Sequence, residues 1–413
     1  MFPALRSRNF RLLWLGSVAV NVGWWMHSVA MGWLIYNLTS SASWLGRVGF
    51  AQSVPTLLLG LVGGALIEHA DRRRVLYGSA LVLTVAASIL ACLTLTGVVE
   101  VWMIIAVSLL SGTGTALFMP VYQALIPSLV PTTHLMNAIS LNSISFNAAR
   151  VVGPIVAGFV MSWAGLGWCF ALNAAGSLVM VFLGRAIEVP RRELGTRPPL
   201  GRALLAGLDY ARRHPVIRAL LFLCVVMSLF GFPYVVLMAA FAHDVLGLEA
   251  RGFTLLFSAV GVGAVAGGIT LARLGDVRRK GLLVLGSSTA FGLLLVVLGR
   301  IHTFTTAAIT LAVLGFAMIA SVASLNTVLQ TSVKEEMRAR VMSMLTVALF
   351  GLPSLGAWIL GAIADRSGIP LAYTIGGSAV AAAAIGIALL SADVRELGTE
   401  REPRDDDRAA SLT

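Results

Sequence analysis

Charged residues are scarce in this sequence. Only 12% of the 413 residues are Asp, Glu, Lys or Arg, whereas 58% are hydrophobic. A soluble globular domain normally carries a charged fraction of about a quarter, because its surface faces water. The mean hydropathy of +0.88 agrees with this contrast. The composition therefore excludes a soluble globular protein and predicts an all-α polytopic membrane protein.

Long polar stretches are also rare, and long apolar stretches recur along the whole chain. A helix of about 18 or more apolar residues, rising 1.5 Å per residue, crosses the hydrocarbon core of a bilayer. The stretches that qualify are residues 12–36, 45–67, 75–96, 101–127, 136–163, 167–186, 217–242, 252–273, 281–299, 303–331, 341–364 and 371–391. We therefore predict twelve transmembrane helices.

The predicted spans lack the residues on which catalysis and metal binding usually depend. None of the 19 acidic residues falls near the middle of a span. Cys92, Cys169 and Cys224 lie inside spans, and their spacing matches neither a metal site nor a redox pair. The spans also contain no carboxylate pair and no nucleophile motif. The sequence therefore predicts no enzyme, no metal site and no cofactor.

Basic residues outnumber acidic ones, giving a formal net charge of +11, but their distribution is uneven. If the N-terminus is cytoplasmic, four of the 30 Lys and Arg residues lie in outer loops and Arg150 lies within a span, which leaves 25 inside. This asymmetry is the positive-inside signal of membrane topology, and it requires no nucleic-acid partner. We expect a multi-pass protein of the cell inner (plasma) membrane with cytoplasmic N- and C-termini.

The two halves of the chain share a spacing of glycines. Nine of the 21 glycines in residues 1–210 have a glycine 203 positions later, where chance would give about two. At this offset Gln123 matches Asn326, whereas Arg150 matches a proline. We therefore predict two six-helix pseudo-repeats. The predicted units are a first bundle at 1–187, a cytoplasmic linker with an amphipathic helix at 188–216, a second bundle at 217–392 and a disordered cytoplasmic tail at 393–413.

The fifth predicted span carries an arginine near its middle. Along it, residues at spacings of three or four are Ser140, Ser143, Asn147, Arg150 and Pro154. On a helix they share one face. A charge at the bilayer centre costs on the order of 3 kcal/mol, so this face is expected to line a bundle interior or a water-filled cavity. Gly153, Pro154 and Gly158 on the same helix permit close packing and a bend.

The short loop after the second span concentrates charge. Its candidate gating residues are Gly64, Glu68, Asp71, Arg72 and Arg73. A carboxylate beside an arginine cluster at helix ends can hold neighbouring helices through charge pairing and helix dipoles. The loop can equally be a charged turn that only fixes topology. Its partial echo at 267–280 leaves both interpretations open.

Four stretches carry a family resemblance. They are RSRNFRLLW at 6–14, GALIEHADRRRVL at 64–76, PVYQALIP at 120–127 and NAARVVGP at 147–154. Together they resemble the major facilitator superfamily, and more narrowly its drug- and siderophore-exporter branch, similar to enterobactin exporters. The second stretch resembles the superfamily motif GxLaDrxGrr, and Gly153-Pro154 resembles the antiporter motif of exporters. The resemblance covers nearly the whole chain and implies the major facilitator fold, working by alternating access.

The sequence also departs from the family pattern. Glu68 stands where the family has Asp, and Asp71 stands where the general motif has Gly. The fourth-helix arginine of many proton-coupled antiporters would fall at Ser108. With no acidic residue mid-span, His27 is the leading deep candidate for proton exchange, because histidine titrates near neutrality. The other interpretation of His27 is a neutral imidazole hydrogen-bonded between helices.

A candidate substrate cavity follows from the polar and aromatic residues within spans. Its members are Asn21, Trp25, His27, Gln123, Asn147, Arg150 and Asn326. The family resemblance implies that the first helix lines the cavity. For Arg150 two interpretations stay open, a contact to substrate and an interhelical strut to backbone carbonyls.

These observations predict a secondary active transporter that exports a small amphiphilic molecule of the drug or siderophore type by alternating access and proton antiport. Its expected partners are the small-molecule substrate, protons and the lipid bilayer, and the protein is expected to be a monomer. A lipid or lysophospholipid flippase is the alternative among transporters. A non-transporting membrane sensor is the alternative from another class.

Overall fold

The computed structural model describes residues 2–69, 71–188, 208–275 and 279–397, without the side chains of 60–69, Ala339 and Phe350. Within this part of the chain there are twelve long helices and no strand. They are α1 Arg8–Thr39, α2 Ala42–His69, α3 Arg72–Leu95, α4 Val101–Leu129, α5 Leu135–Trp163, α6 Leu166–Arg185, α7 Pro215–Val245, α8 Ala250–Leu274, α9 Lys280–Leu298, α10 Phe304–Ser332, α11 Glu335–Ser367 and α12 Ile369–Leu390. The prediction of an all-α protein with twelve transmembrane helices is confirmed.

Length and apolarity support membrane spanning. In the described residues ten helices, α3 to α12, are long and apolar enough to cross a membrane. The other two, α1 and α2, have 32 and 28 residues, which exceeds the length that a span needs. Asn21, Trp24, Trp25 and His27 make the middle of α1 less apolar than the other spans.

The helices form two bundles of six, as the glycine spacing predicted. In the first bundle α1 packs on α5 and α6, α2 on α4, and α3 on α4 and α6. In the second, α8 packs on α10, and α9 on α10 and α12. The two bundles meet mainly where α2 packs on α11 and α5 on α8.

One pair of matched glycines shows why the spacing repeats. Gly112 of α4 lies against the backbone of Gln52 on α2, and Gly315 of α10 lies against the backbone of Val260 on α8. A Cβ atom at either glycine would overlap the neighbouring carbonyl oxygen. In a bilayer, helices associate through close packing, so small residues are needed at the same crossing in both bundles.

Helix α7 is irregular. Its regular segment Pro215–Val226 is followed by a π-helical turn, Met227–Gly231, then by Pro233–Ala240 and a second π-helical turn, Phe241–Val245. Proline lacks the N–H that would continue the helical ladder, and π-helical turns are frequent at functional sites. These turns set the direction in which α7 presents Tyr234 and Asp244.

The predicted linker helix is described only at its end. Residues 208–213 are helical, Ala211 is buried in the hydrophobic core, and Asp209 pairs with Arg213 at 2.8 Å. The rest of that helix and most of the predicted tail lie outside the described residues. The exact domain limits stay a prediction.

Candidate functional site

The helix ends define two faces of the protein. The odd-numbered helices α1 to α11 begin at one face, which we call the N-terminal face. The opposite face, called the far face, carries the turns between α1 and α2, α7 and α8, and α11 and α12. The bundles are in contact from the far face to the middle of the helices.

At the far face a carboxylate joins the bundles. Asp365, near the end of α11, accepts hydrogen bonds from Ser41 Oγ at 2.7 Å and from the backbone N–H groups of Ala42 at 2.6 Å and Ser43 at 3.2 Å. These backbone groups begin α2 and have no partner within that helix. A side chain of the second bundle therefore caps a helix of the first, which is possible only while the two ends touch.

A second polar link lies beside the first. The Tyr36 hydroxyl of α1 donates a hydrogen bond to Asp244 Oδ2 of α7, and His243 Nδ1 lies 2.9 Å from Asp244 Oδ1. Trp33 stacks on Phe253 of α8, with ring centroids 5.5 Å apart. The far ends of α1, α7 and α8 are thus held together by both polar and aromatic contacts.

Small residues bring α2 and α11 into direct backbone contact. A Cβ atom at Gly46 would overlap the backbone of Trp358, and one at Gly361 would lie 2.6 Å from the carbonyl oxygen of the first residue of α2. Nearer the middle, Ser53 Oγ lies 2.9 Å from Ser354 Oγ. The far half of this helix pair leaves no room for a passage.

The predicted packing residues of α5 lie at two different interfaces. Gly153 faces α1, since a Cβ atom there would lie 2.6 Å from Trp25 Cβ. Gly158 faces the second bundle, where it lies against Thr254 of α8. Pro154 is buried beside them. These residues allow α5 to pack on its own bundle and on the other bundle at once.

At the middle of the helices, Arg150 of α5 reaches across to the second bundle. Its Nη2 lies 3.7 Å from Met318 Sδ of α10, and its guanidinium lies over the Trp25 ring, 5.4 Å from the centroid. The Tyr234 hydroxyl of α7 lies 3.7 Å from the same sulfur. A thioether is a weak acceptor, so two strong donors share one poor partner.

Trp25, whose ring lies under the Arg150 guanidinium, also lacks a hydrogen-bond partner. Trp25 is about nine-tenths buried, and its indole Nε1 has no hydrogen-bond partner. Trp25 packs between Phe146 of α5 and Phe257 of α8, with centroids 6.1 and 6.5 Å away. Every Asp and Glu within the described ranges lies in a turn or near a helix end. The charge of Arg150 therefore has neutral neighbours at the centre of the protein.

Polar residues of both bundles extend from this centre towards the N-terminal face. On α5, Ser140 and Ser143 are exposed and Asn147 is half-buried. On α10, Asn326 is half-buried, two turns beyond Met318 on the same face of the helix. Exposed polar groups in a membrane span usually face water. These polar residues therefore lie between Arg150 and the N-terminal face along their helices, and the polar path that they would line stays a prediction.

The other predicted cavity residues differ in burial. Asn21 is half-buried and lies one turn before Trp25 on the same face of α1, and Gln123 of α4 is exposed. His27 instead faces α6, with its ring 5.1 Å from that of Phe170, and its Nδ1 has no hydrogen-bond partner. The structure does not bring His27 to Arg150.

The charged residues between α2 and α3 interact with neighbours in the first bundle. Asp71 caps α3 by accepting the Arg73 backbone N–H at 3.0 Å, and it lies 3.5 Å from Arg74 Nε. Arg73 Nη2 donates to the carbonyl of Arg185 at the end of α6. Arg72 is half-buried beside them. Gly64 and Glu68 fall among the side chains outside the described part, so the gating hypothesis for them stays a prediction.

Sequence reasoning missed the residues of the far-face contact. Asp244 and Asp365 lie at span ends, where carboxylates are common, so position alone does not mark them as functional. Their partners, Tyr36 and Ser41, lie more than 200 residues away in sequence. The one usable signal was the short turn Ser40-Ser41 before α2, which offers free backbone donors but does not say which carboxylate meets them.

A family profile and several curated relatives match this chain, and they agree with one another. The profile of the family described as Transmembrane secretion effector (MFS_3) matches residues 1–410. Macrolide efflux protein A of Streptococcus pyogenes is 25% identical, covering 94% of this chain and 97% of that protein. The staphyloferrin A transporter of Staphylococcus aureus is 23% identical, covering 86% and 89%, and the enterobactin exporter EntS of Shigella boydii is 24% identical, covering 86% and 85%.

Solved structures agree on the fold. A bacterial homolog to the human lysosomal transporter Spinster, in an inward-facing and unoccupied conformation, superposes with a TM-score of 0.69 at 17% identity, covering 97% of this chain and 98% of that one. The xylose transporter XylE of E. coli, in an inward open conformation, gives 0.69 at 14% identity with 98% of both chains covered. The major facilitator fold expected from the sequence motifs is confirmed.

Proposed function

The chain belongs to the MFS_3 family of transmembrane secretion effectors, in the major facilitator superfamily, and from this membership we propose that it exports a small amphiphilic molecule by alternating access and proton antiport. Three relatives are named for the efflux or transport of a macrolide, staphyloferrin A and enterobactin. Their similarity extends over at least 86% of this chain, which supports a shared mode of action.

The observation that carries the proposal is the asymmetry between the two faces. Asp365 joins the bundles at the far face, whereas Ser140 and Ser143 are exposed towards the N-terminal face. Transporters of this architecture bind substrate near the bilayer midplane and rock one bundle against the other. The uneven distribution of basic residues supports a cytoplasmic N-terminal face. In this orientation the protein is ready to receive substrate from the cytoplasm.

Proton coupling requires a group that exchanges a proton between the two states. Asp365 is our candidate for this group, because it accepts hydrogen bonds from the other bundle while the far face is closed. A protonated carboxyl group cannot accept as many hydrogen bonds as a carboxylate. Protons arriving from the far side would therefore favour separation of the bundles there. This is the direction that antiport needs.

Transport in everted membrane vesicles tests the function. An imposed pH gradient, acidic inside, should drive uptake of at least one of three amphiphilic dyes, N-phenyl-1-naphthylamine, 1-anilinonaphthalene-8-sulfonate and rhodamine 6G. Nigericin should abolish the uptake, and vesicles lacking the protein provide the baseline. No gradient-driven uptake of any dye by folded protein would contradict drug-type export.

The flippase alternative is tested with the purified protein in proteoliposomes. Proteoliposomes containing a fluorescent lysophosphatidylcholine should show no faster loss of dithionite-accessible probe than protein-free liposomes. Rapid lipid translocation without dye transport would replace the exporter by a flippase. Neither activity in correctly folded protein would favour the membrane sensor.

A further inference from the structure

The centre of the protein has more hydrogen-bond donors than acceptors. Arg150 Nη2 and the Tyr234 hydroxyl both point at Met318 Sδ, each at 3.7 Å. The buried Trp25 Nε1 has no partner at all. A guanidinium carries five N–H donors in a fixed fork and strongly prefers oxyanions as partners. The side chains present here supply only a sulfur and the face of an aromatic ring.

The charge balance agrees with the donor surplus. Arg150 lies 15 residues after the start of α5, at the midpoint of the span. The ion pairs of Asp71 with Arg74 and of Asp209 with Arg213 lie near helix ends, and no carboxylate of the described residues pairs with Arg150. An uncompensated cation in a region of low dielectric attracts an anion strongly, because water does not screen it.

From this arrangement we infer that the substrate of the proposed exporter is an anionic amphiphile whose oxyanion binds Arg150. The inference rests on the proposed function for the route of entry. The polar stripe of α5 leads from the N-terminal face to the guanidinium, and the Tyr234 hydroxyl adds a donor from the second bundle. The apolar body of the ligand packs on an aromatic group in which the Trp25 ring lies under the guanidinium and Phe146 and Phe257 pack on Trp25.

The ligand would touch both bundles at once. Arg150, Trp25 and Phe146 belong to the first bundle, whereas Tyr234 and Phe257 belong to the second. A ligand held by both is positioned to respond when they rock apart. A purely structural Arg150 would instead be satisfied by backbone carbonyls, and the structure gives its guanidinium no carbonyl partner among the described residues.

Equilibrium binding to the purified protein in zwitterionic-lipid nanodiscs tests the inference. The two probes share one scaffold, 1-anilinonaphthalene-8-sulfonate with a permanent negative charge and N-phenyl-1-naphthylamine without it. Wild type should bind the sulfonate at least about tenfold more tightly than the neutral probe, as expected for a charge-assisted guanidinium pair. Empty nanodiscs correct for partition into lipid.

Two substitutions at Arg150 separate charge from packing. Arg150→Gln should weaken sulfonate binding about tenfold or more and change binding of the neutral probe less than about twofold, because only the charged pair is lost. The sulfonate affinity of Arg150→Lys should fall between those of the wild type and Arg150→Gln, since lysine keeps the charge but lacks the forked N–H donors of arginine. Arg300→Gln, which removes an exposed arginine in the turn between α9 and α10, serves as the matched control and should leave both affinities unchanged.

Several results would overturn the inference. The first is equal affinity of the wild type for the two probes. The second is an equal loss of affinity for both probes in Arg150→Gln. The third is a preference for the sulfonate that persists in Arg150→Gln. If the sulfonate is displaced by phosphatidylglycerol from wild type only, the anion is a lipid headgroup and the Arg150 site stands. Binding is measured without a pH gradient, so it does not depend on transport. Charge-selective binding without vesicle transport would overturn only the proposed export function. Vesicle transport without charge-selective binding would overturn only the anion site.

Discussion

Removing the Asp365 carboxylate should shift the protein towards opening at the far face. In the structure, this side chain accepts three hydrogen bonds from Ser41, Ala42 and Ser43, all in the opposite bundle. All three are lost when the bundles separate, whereas contacts within each bundle are kept. The substitution should therefore change the balance between closed and open states more than the stability of the fold.

The size of the shift follows from the hydrogen bonds. A bond to a charged group contributes about 1.5–3 kcal/mol, and an anion at a helix N-terminus adds about 0.3–1 kcal/mol. Because Asp365 is exposed, water screens its charge, and we take about 2 kcal/mol for all three bonds together. Asp365→Ala should lose all of this, a change of about thirtyfold in the closed-to-open ratio. Asp365→Asn keeps one acceptor oxygen and should lose about half, a change of about fivefold.

Cysteine labelling measures this ratio. Thr254 is buried against Gly158 between the bundles, so Thr254→Cys should react with an impermeant maleimide from the far side only when that face opens. The three native cysteines are replaced by serine in the background. The labelling rate should rise in the order wild type, Asp365→Asn, Asp365→Ala. Glu249→Gln is the matched control, because Glu249 precedes α8 on the same face and makes no capping hydrogen bond. Equal rates in wild type and both Asp365 variants would refute the reasoning.

Three further predictions concern other parts of the molecule. Gly46→Ala places a Cβ atom into the backbone of Trp358, so it should raise far-face labelling of Thr254→Cys, and an unchanged rate would contradict the close packing of α2 on α11. His27→Gln should keep gradient-driven dye uptake within about twofold of wild type, since His27 faces α6. Loss of gradient-driven uptake, with normal substrate exchange at uniform pH, would instead identify His27 as the proton carrier. Glu68→Gln should reduce uptake while expression stays near normal, as the gating hypothesis predicts. Unchanged uptake would reduce the loop to a topology signal.

The architecture was readable from the sequence because its causes are local or periodic. Apolar length gives the spans, and the glycines repeat because the crossing at Gly112 and the crossing at Gly315 obey the same steric limit. The polar stripe around Arg150 was likewise visible, since helical periodicity places its members on one face. These features need no knowledge of how the bundles are oriented.

Contacts between the bundles could not be predicted from the sequence, because their causes are neither local nor periodic. Asp365 looked like an ordinary carboxylate at a span end, and its partners on α2 are defined only by the way the two bundles dock. His27 and Trp25 are both polar or aromatic residues of the first span, and they are two residues apart. On a helix that spacing turns the side chains about 200° from each other, so one faces α6 and the other faces α5. Residue type alone does not distinguish these two directions.

A disulfide between Ser53→Cys and Ser354→Cys in the serine background tests alternating access most directly. The two hydroxyl oxygens lie 2.9 Å apart across the α2–α11 interface, so the thiols should cross-link readily while the far face is closed. Oxidation should then abolish gradient-driven dye uptake, reduction should restore it, and each single-cysteine variant should be unaffected. Uptake by the fully cross-linked protein at the rate of the reduced protein would contradict the account, because transport would then proceed without separation of the bundles.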